Sequence, residues 1–190
     1  MRVIAVVSPL GGSGRTTVTA HLATLLAGQG QPCLAVDLSA QNLLGRHLGM
    51  CEPSMQGWAP LAAAGQWWGD GSFDNTDGVG VLPFGQASLD TIEAIHRQLQ
   101  DQPRWLLDQM EWLDVPADCT VLLDTPVWPS PLTQAALRCA DSVLVTLEAS
   151  ARACADPGGM QAMLQESTAA PGRHGVLVTR FDPRRVSHRE

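Results

Sequence analysis

The chain has 190 residues, 45% of them hydrophobic, and a formal net charge of −7. That apolar content suits one packed domain spanning residues 1–190 and excludes a disordered chain. The acidic balance argues against non-specific binding to nucleic acid or to an anionic membrane surface.

The amino terminus opens directly into Val3 to Val7, which reads as a strand with no signal peptide before it. Thr16 to Ala27 follows with apolar residues at helical spacing (Val18, Leu22, Leu25, Leu26). Cys33 to Val36, Val79 to Leu82, Thr120 to Leu123, Ser142 to Leu147 and Gly175 to Val178 read as five further strands. Leu89 to Trp112, Pro131 to Cys139 and Ala151 to Gln165 read as helices, the first interrupted near Pro103. The stretch Gly65 to Gly78, rich in Gly, Asp, Asn and Trp, reads as an irregular connection. No apolar run reaches the roughly 18 residues needed to span a bilayer. Cys33, Cys51, Cys119, Cys139 and Cys154 are scattered without a CxxC pair. They read as buried thiols in a reducing cytoplasm, not as a disulfide framework or a metal site.

Continuous apolar strands alternating with helices specify an α/β fold, a parallel sheet covered by helices on both faces. Ligands of such sheets bind at the carboxyl ends of the strands. Three strands end there in candidate polar groups: a glycine loop, Asp37 and Asp124. The loop runs Ser8-Pro9-Leu10-Gly11-Gly12-Ser13-Gly14-Arg15-Thr16-Thr17 and leads into a helix. Its glycines let backbone N–H groups turn inward on an anion, and the helix end adds partial positive charge. Gly11, Gly12, Ser13, Gly14, Arg15, Thr16 and Thr17 are therefore candidates for binding the phosphates of a nucleotide, with Thr16 placed to put its hydroxyl on Mg²⁺. The loop departs from G-x-x-x-x-G-K-[ST] at Pro9 and at Arg15, in a chain whose twelve basic residues are all arginine. Asp124 is a candidate for holding metal-bound water, or else a helix-capping or solvated aspartate. Asp37 stands between a metal-shell role and a loop-structural one.

Read against known families, the sequence resembles the ParA/MinD group of deviant P-loop ATPases across nearly its whole length. Leu10 to Thr16 lies over the loop motif, Val36 to Gln41 over switch I, Val121 to Pro126 over Walker B and switch II. Val176 to Arg184 lies over the strand and loop near the adenine, which implies that Arg180, Asp182 and Pro183 flank the base, the alternative being a solvated turn. Within that group the chain resembles the BcsQ (YhjQ) family of bacterial cellulose-biosynthesis proteins. The resemblance rests on Gln41-Asn42-Leu43-Leu44, on Gln56-Gly57-Trp58-Ala59 with Gly65-Gln66 and Trp68, and on Val81-Leu82-Pro83-Phe84-Gly85-Gln86-Ala87-Ser88. Trp67 and Trp105 read as core or partner-contact aromatics.

The resemblance implies ATP and Mg²⁺ as cofactors and a homodimer sandwiching two ATP molecules. It also implies contact with a small BcsR-like protein and with the inner-membrane synthase BcsA/BcsB, from a cytoplasmic position that extends to recruitment at the inner membrane or cell pole. Relatives run longer, so the fold is expected to lack its last strand and helices, and with them any membrane-binding helix. Hydrolysis in the group uses a loop lysine, a signature lysine and a switch I aspartate, where this chain has Arg15, Leu10 and Ser39. The expectation is a nucleotide-dependent assembly factor with weak or absent turnover and no catalytic residue. The alternatives are an active ParA-type ATPase in DNA or cell-pole partitioning, for which Arg180, Arg184, Arg185 and Arg189 would supply a basic end, and a P-loop domain that binds only protein partners.

Overall fold

The computed structural model describes residues 1–51, 55–154 and 157–185. Seven strands form one sheet: β1 (Arg2–Val7), β2 (Cys33–Asp37), β3 (Phe73–Asp74), β4 (Gly80–Leu82), β5 (Thr120–Asp124), β6 (Ser142–Glu148) and β7 (His174–Thr179). Their order is β3-β4-β2-β5-β1-β6-β7. Every pairing is parallel except β3 with β4. All six strands read from the sequence are present within a residue or two.

The centre of the sheet is buried because both of its faces are covered there. One face packs Val3, Val7, Val36, Val121, Leu123 and Val145 under α3 (Trp58–Ala63), α4 (Leu89–Asp101), α5 (Trp105–Trp112), α6 (Pro131–Cys139) and α8 (Pro157–Gln165). The other face packs Ala35, Val81 and Leu122 under α1 (Arg15–Gly28) and the short α2 (Leu44–His47). Small residues on α1, Ala20 and Ala23, let that helix lie close to the strands. Local chemistry sets the helix ends. Ser88 caps α4 through its hydroxyl, which accepts from the Thr91 N–H. Pro131 starts α6, where the missing N–H is no loss.

The helical pattern from Leu89 to Trp112 is two helices, split around Pro103 as expected. Two elements depart from the sequence reading. Ala151 to Gln165 is also two pieces, α7 (Ala151–Cys154) and α8, and residues 155–156 lie outside the described set. The supposedly irregular Gly65 to Gly78 holds a 3-10 turn (Trp68–Gly71) and the antiparallel edge strand β3. A two-residue strand is too short to show periodicity. Its turn is built by Asn75, whose side-chain oxygen accepts the N–H groups of Asp77 and Val79. Of the cysteines, Cys33 and Cys119 are buried, Cys139 is half-buried and Cys51 is exposed; the Cys154 side chain lies outside the described residues. At the far edge, Val176, Leu177 and Val178 of β7 are exposed. Among the described residues no helix is long and apolar enough to cross a membrane.

Candidate functional site

The carboxyl ends of β1, β2 and β5 meet beside the amino end of α1. Gly12 and Gly14 take φ of 79° and 85°, a backbone that side-chain-bearing residues rarely adopt. That conformation turns the chain sharply out of β1 and into the helix. The first bond inside α1 runs from the Val18 N–H to the Gly14 carbonyl. No side chain caps this end and no acidic residue lies in its first turn. The leading amides and the positive end of the helix dipole are thus left for a ligand.

Two threonines, the buried Thr146 and the half-buried Thr179, pin the loop from below. The Ser13 hydroxyl lies 2.8 Å from that of Thr146 on β6, and the Thr179 hydroxyl on β7 donates to the Ser13 carbonyl at 2.8 Å. Arg15 folds back so that Nη1 donates to the Ser8 carbonyl at 3.4 Å. Its Nε is buried with no partner. Burial pulls the Arg15 pKa down, and nearby Asp124 partly offsets this. Thr16 is half-buried at the first turn and Thr17 is exposed.

Asp37 and Asp124 are register partners at the ends of β2 and β5, which sets their Cα atoms roughly 4.8 Å apart. Both are almost wholly inaccessible. Asp37 accepts the Ser39 N–H on Oδ1 at 2.9 Å and the Leu44 N–H on Oδ2 at 3.0 Å. Of its two possible roles, the loop-structural one is therefore filled. Asp124 differs: its Oδ1 is buried and, among the described residues, has no hydrogen-bond partner. Burial pushes the Asp37 carboxyl up to about 6, against the pull of the backbone amides. Burial, then the neighbouring Asp37, pushes Asp124 up to about 7, while Thr16, Arg15 and Thr19 oppose the rise. Two adjacent carboxylates without a cation hold on to protons, and a bound cation would reverse that preference.

The Arg180–Pro183 segment sits one strand further out, past β7. Arg180 has φ 53° and pairs with Glu148 at 3.1 Å. Asp182 accepts from the Arg184 backbone N–H, Nε and Nη2, each at 3.0 Å. Glu148, Ser150, Arg180, Asp182 and Arg185 line an open hollow, and Pro183 and Arg184 are not among its lining residues. Thr179 joins it to the glycine loop. Arg189, the last member of the basic end, lies outside the described residues.

Several contributors carried no chemical signal in the sequence. Thr146 and Thr179 look like ordinary strand residues. The Trp58 indole donates to the Asp37 carbonyl at 2.7 Å, so a buried aromatic holds the end of β2. Asn42, at φ 51°, accepts the Gly85 N–H at 3.3 Å. Gly57 faces Gly85 so closely that a Cβ on it would fall 2.4 Å from the Gly85 nitrogen. The motifs that carried the resemblance thus pack against each other and against the Asp37 loop.

A family model described as "Cellulose biosynthesis protein BcsQ" matches residues 1–187. Over 93 residues the chain is 38% identical to cellulose biosynthesis protein BcsQ of Escherichia coli (strain K12), which takes in 49% of the chain and 37% of that protein. It is 33% identical over 195 residues to chromosome-partitioning ATPase Soj of Thermus thermophilus, across 97% of the chain and 71% of Soj. Cobyrinic acid a,c-diamide synthase from Mycobacterium smegmatis, solved with bound ADP and magnesium, superimposes with a TM-score of 0.84 at 25% identity, over 100% of the chain and 78% of that protein. The aligned stretch spans little more than a third of the E. coli relative.

Proposed function

Because the chain belongs to the family of cellulose biosynthesis proteins BcsQ, within the ParA/MinD group, we propose that it binds ATP with Mg²⁺ and serves as a nucleotide-dependent assembly or localisation factor for bacterial cellulose synthesis and secretion, with little or no hydrolysis. One observation carries this reading. An uncapped, glycine-turned helix end stands beside a buried carboxylate oxygen, Asp124 Oδ1, that has no hydrogen-bond partner among the described residues. A buried unpaired polar atom is costly and calls for a ligand or ion.

The residues fit Mg²⁺-ATP. The amides from Gly11 to Thr17 face the phosphates. Thr16 and Asp124 hold the metal, with Asp37 adding charge while it braces the loop. Arg180, Asp182 and Pro183 flank the base. Bound magnesium would neutralise charge on the phosphates. Leu10 offers no charge to a phosphate, and Ser39 cannot orient water as a carboxylate does. Removing one electrostatic contact to such a transition state costs roughly 3–4 kcal/mol, or about 10²–10³ in rate. Two such losses leave binding largely intact, since it rests on backbone amides. Family membership supports a homodimer through bound ATP, contact with a small BcsR-like protein and with BcsA/BcsB, and a cytoplasmic site of action at the inner membrane.

Thermal melting and steady-state turnover test the proposal together. Mg-ATP should raise the melting temperature, Thr16→Ala should remove that rise, and turnover should stay near background. Turnover at ordinary ATPase rates that vanishes in Thr16→Ala overturns the hydrolysis claim, and no thermal shift with Mg-ATP overturns binding. The match to Soj over 97% of the chain favours a second reading, an active partitioning ATPase. Salt-dependent DNA retardation would support it.

A further inference from the structure

The sheet has a second opening, at the end opposite the glycine loop. The amino ends of β2, β4 and β5 border a cavity of about 290 Å³. Its apolar wall includes Leu34, Leu82 and Leu113, all otherwise buried, so the cavity bottoms directly on the core. Trp67 forms one side and is 37% exposed. This ring is fixed rather than loose. Its indole N–H donates to the Trp112 carbonyl at 3.2 Å, and the ring covers Gly69 so closely that a Cβ there would fall 2.3 Å from it. Trp112 is itself 62% exposed nearby.

The two charged side chains that line the opening among the described residues, Asp74 and Asp114, are both acidic and exposed; the nearest positive charge is the N-terminal ammonium, which bonds the Ala117 carbonyl. Asp70, Asp77 and Asp118, adjacent in sequence to lining residues, are also exposed. An apolar floor, a rigid tryptophan wall and an acidic rim together describe an amphipathic cationic ligand. The volume lies at the lower limit of ligand pockets, roughly 300 Å³, and holds one or two side chains rather than a folded surface. Tryptophan is enriched among residues that dominate binding energy, and rim charges select and steer the partner.

We propose that this cavity docks a short segment of a protein partner, which inserts an apolar side chain and flanks it with arginine or lysine. The site is separate from the nucleotide site and stands whether or not ATP binds. A random-peptide display library, selected on the intact protein and counter-selected on Asp74→Arg/Asp114→Arg, tests it. Recovered peptides should share a Leu, Met or aromatic residue between basic residues. Synthetic copies should bind the wild type at least about tenfold more tightly than the double variant or Trp67→Ala, and more weakly as salt rises. Melting temperatures should confirm that both variants fold; Asp114→Asn, a milder change, should weaken binding in the same direction. Uncharged or acidic consensus peptides, or equal binding to wild type and variants, overturn the proposal. So does a dimer seen by light scattering that dissociates in the double variant, because a second copy would then occupy the cavity.

Discussion

Asp124→Asn should make the nucleotide-free protein more stable at neutral pH while removing its response to Mg-ATP. In the folded chain Asp37 is raised to about 6 and Asp124 to about 7, from an ordinary value of 3.8. A carboxyl whose folded pKa lies above its unfolded one favours the fold while protonated. That contribution is complete below the unfolded value and is lost as pH rises through the folded values. At about 1.4 kcal/mol per pKa unit, the rise at Asp124 alone costs on the order of 4 kcal/mol of stability between roughly pH 4 and pH 7.5. The amide keeps the shape of the side chain and removes one of the two charges. It should recover about 1–3 kcal/mol at pH 8, which for a chain of this size is roughly 2–10 °C in melting temperature. Thermal melts of wild type and variant without nucleotide, from about pH 5 to about pH 8, measure this. The two curves should approach each other at the acid end and separate above about pH 6. A variant less stable than wild type at pH 8, or a difference independent of pH, refutes the assignment of a strained carboxylate pair. A Mg-ATP shift that survives in the variant refutes the role of Asp124 at the metal.

Trp58→Phe keeps the ring but leaves the buried Asp37 carbonyl without its 2.7 Å donor; a loss of about 1–3 kcal/mol is expected in urea melts, with weaker Mg-ATP binding. Gly57→Ala would place a Cβ 2.4 Å from the Gly85 nitrogen and 2.5 Å from the Pro83 oxygen. Backbone cannot yield as a side chain can, so soluble yield should collapse. Gly28→Ala is the control: nothing lies within 4 Å of its Cβ, and it should gain roughly 0.5–1 kcal/mol by melting. Leu10→Lys/Arg15→Lys/Ser39→Asp supplies the two charges missing at Leu10 and Ser39, exchanges the Arg15 guanidinium for a compact ammonium, and should raise steady-state turnover by about 10²-fold or more. Unchanged turnover in a variant that still binds Mg-ATP would place the block elsewhere.

The strands were legible because a sheet covered on both faces needs uninterrupted apolar runs, and Val3–Val7, Cys33–Val36 and Thr120–Leu123 are such runs. The glycine loop was legible for a different reason: only glycine tolerates φ near +80° at positions 12 and 14. What stayed hidden is held by backbone and by distant partners. β3 has two residues and exists through the Asn75 turn. Thr146 and Thr179 reach the loop from more than 130 residues away. The split in Asp37 between cation and loop was open in the sequence because a carboxylate can serve either. The Ser39 and Leu44 amides, at 2.9 and 3.0 Å, show how it braces the loop.

The tryptophans add the last step. Trp58, Trp68 and Trp105 form a chain of ring contacts with centroids 4.6 and 5.3 Å apart. One end of that chain bonds the Asp37 carbonyl, and Trp67, next to Trp68, walls the cavity at the opposite end of the sheet. Gly57 against Gly85 fixes the geometry by close backbone approach. So the segments on which the resemblance rests, Gln56 to Ala59 and Leu82 to Gln86, bond to each other, brace the end of β2 through the Trp58 indole and lead away from it toward a surface. A chain that lacks charge at Leu10 and Ser39 yet spends four large aromatic residues on this bracing (Trp58, Trp68, Phe84 and Trp105) is built to keep one arrangement of its loops. A fixed loop arrangement is what the proposed assembly role calls for.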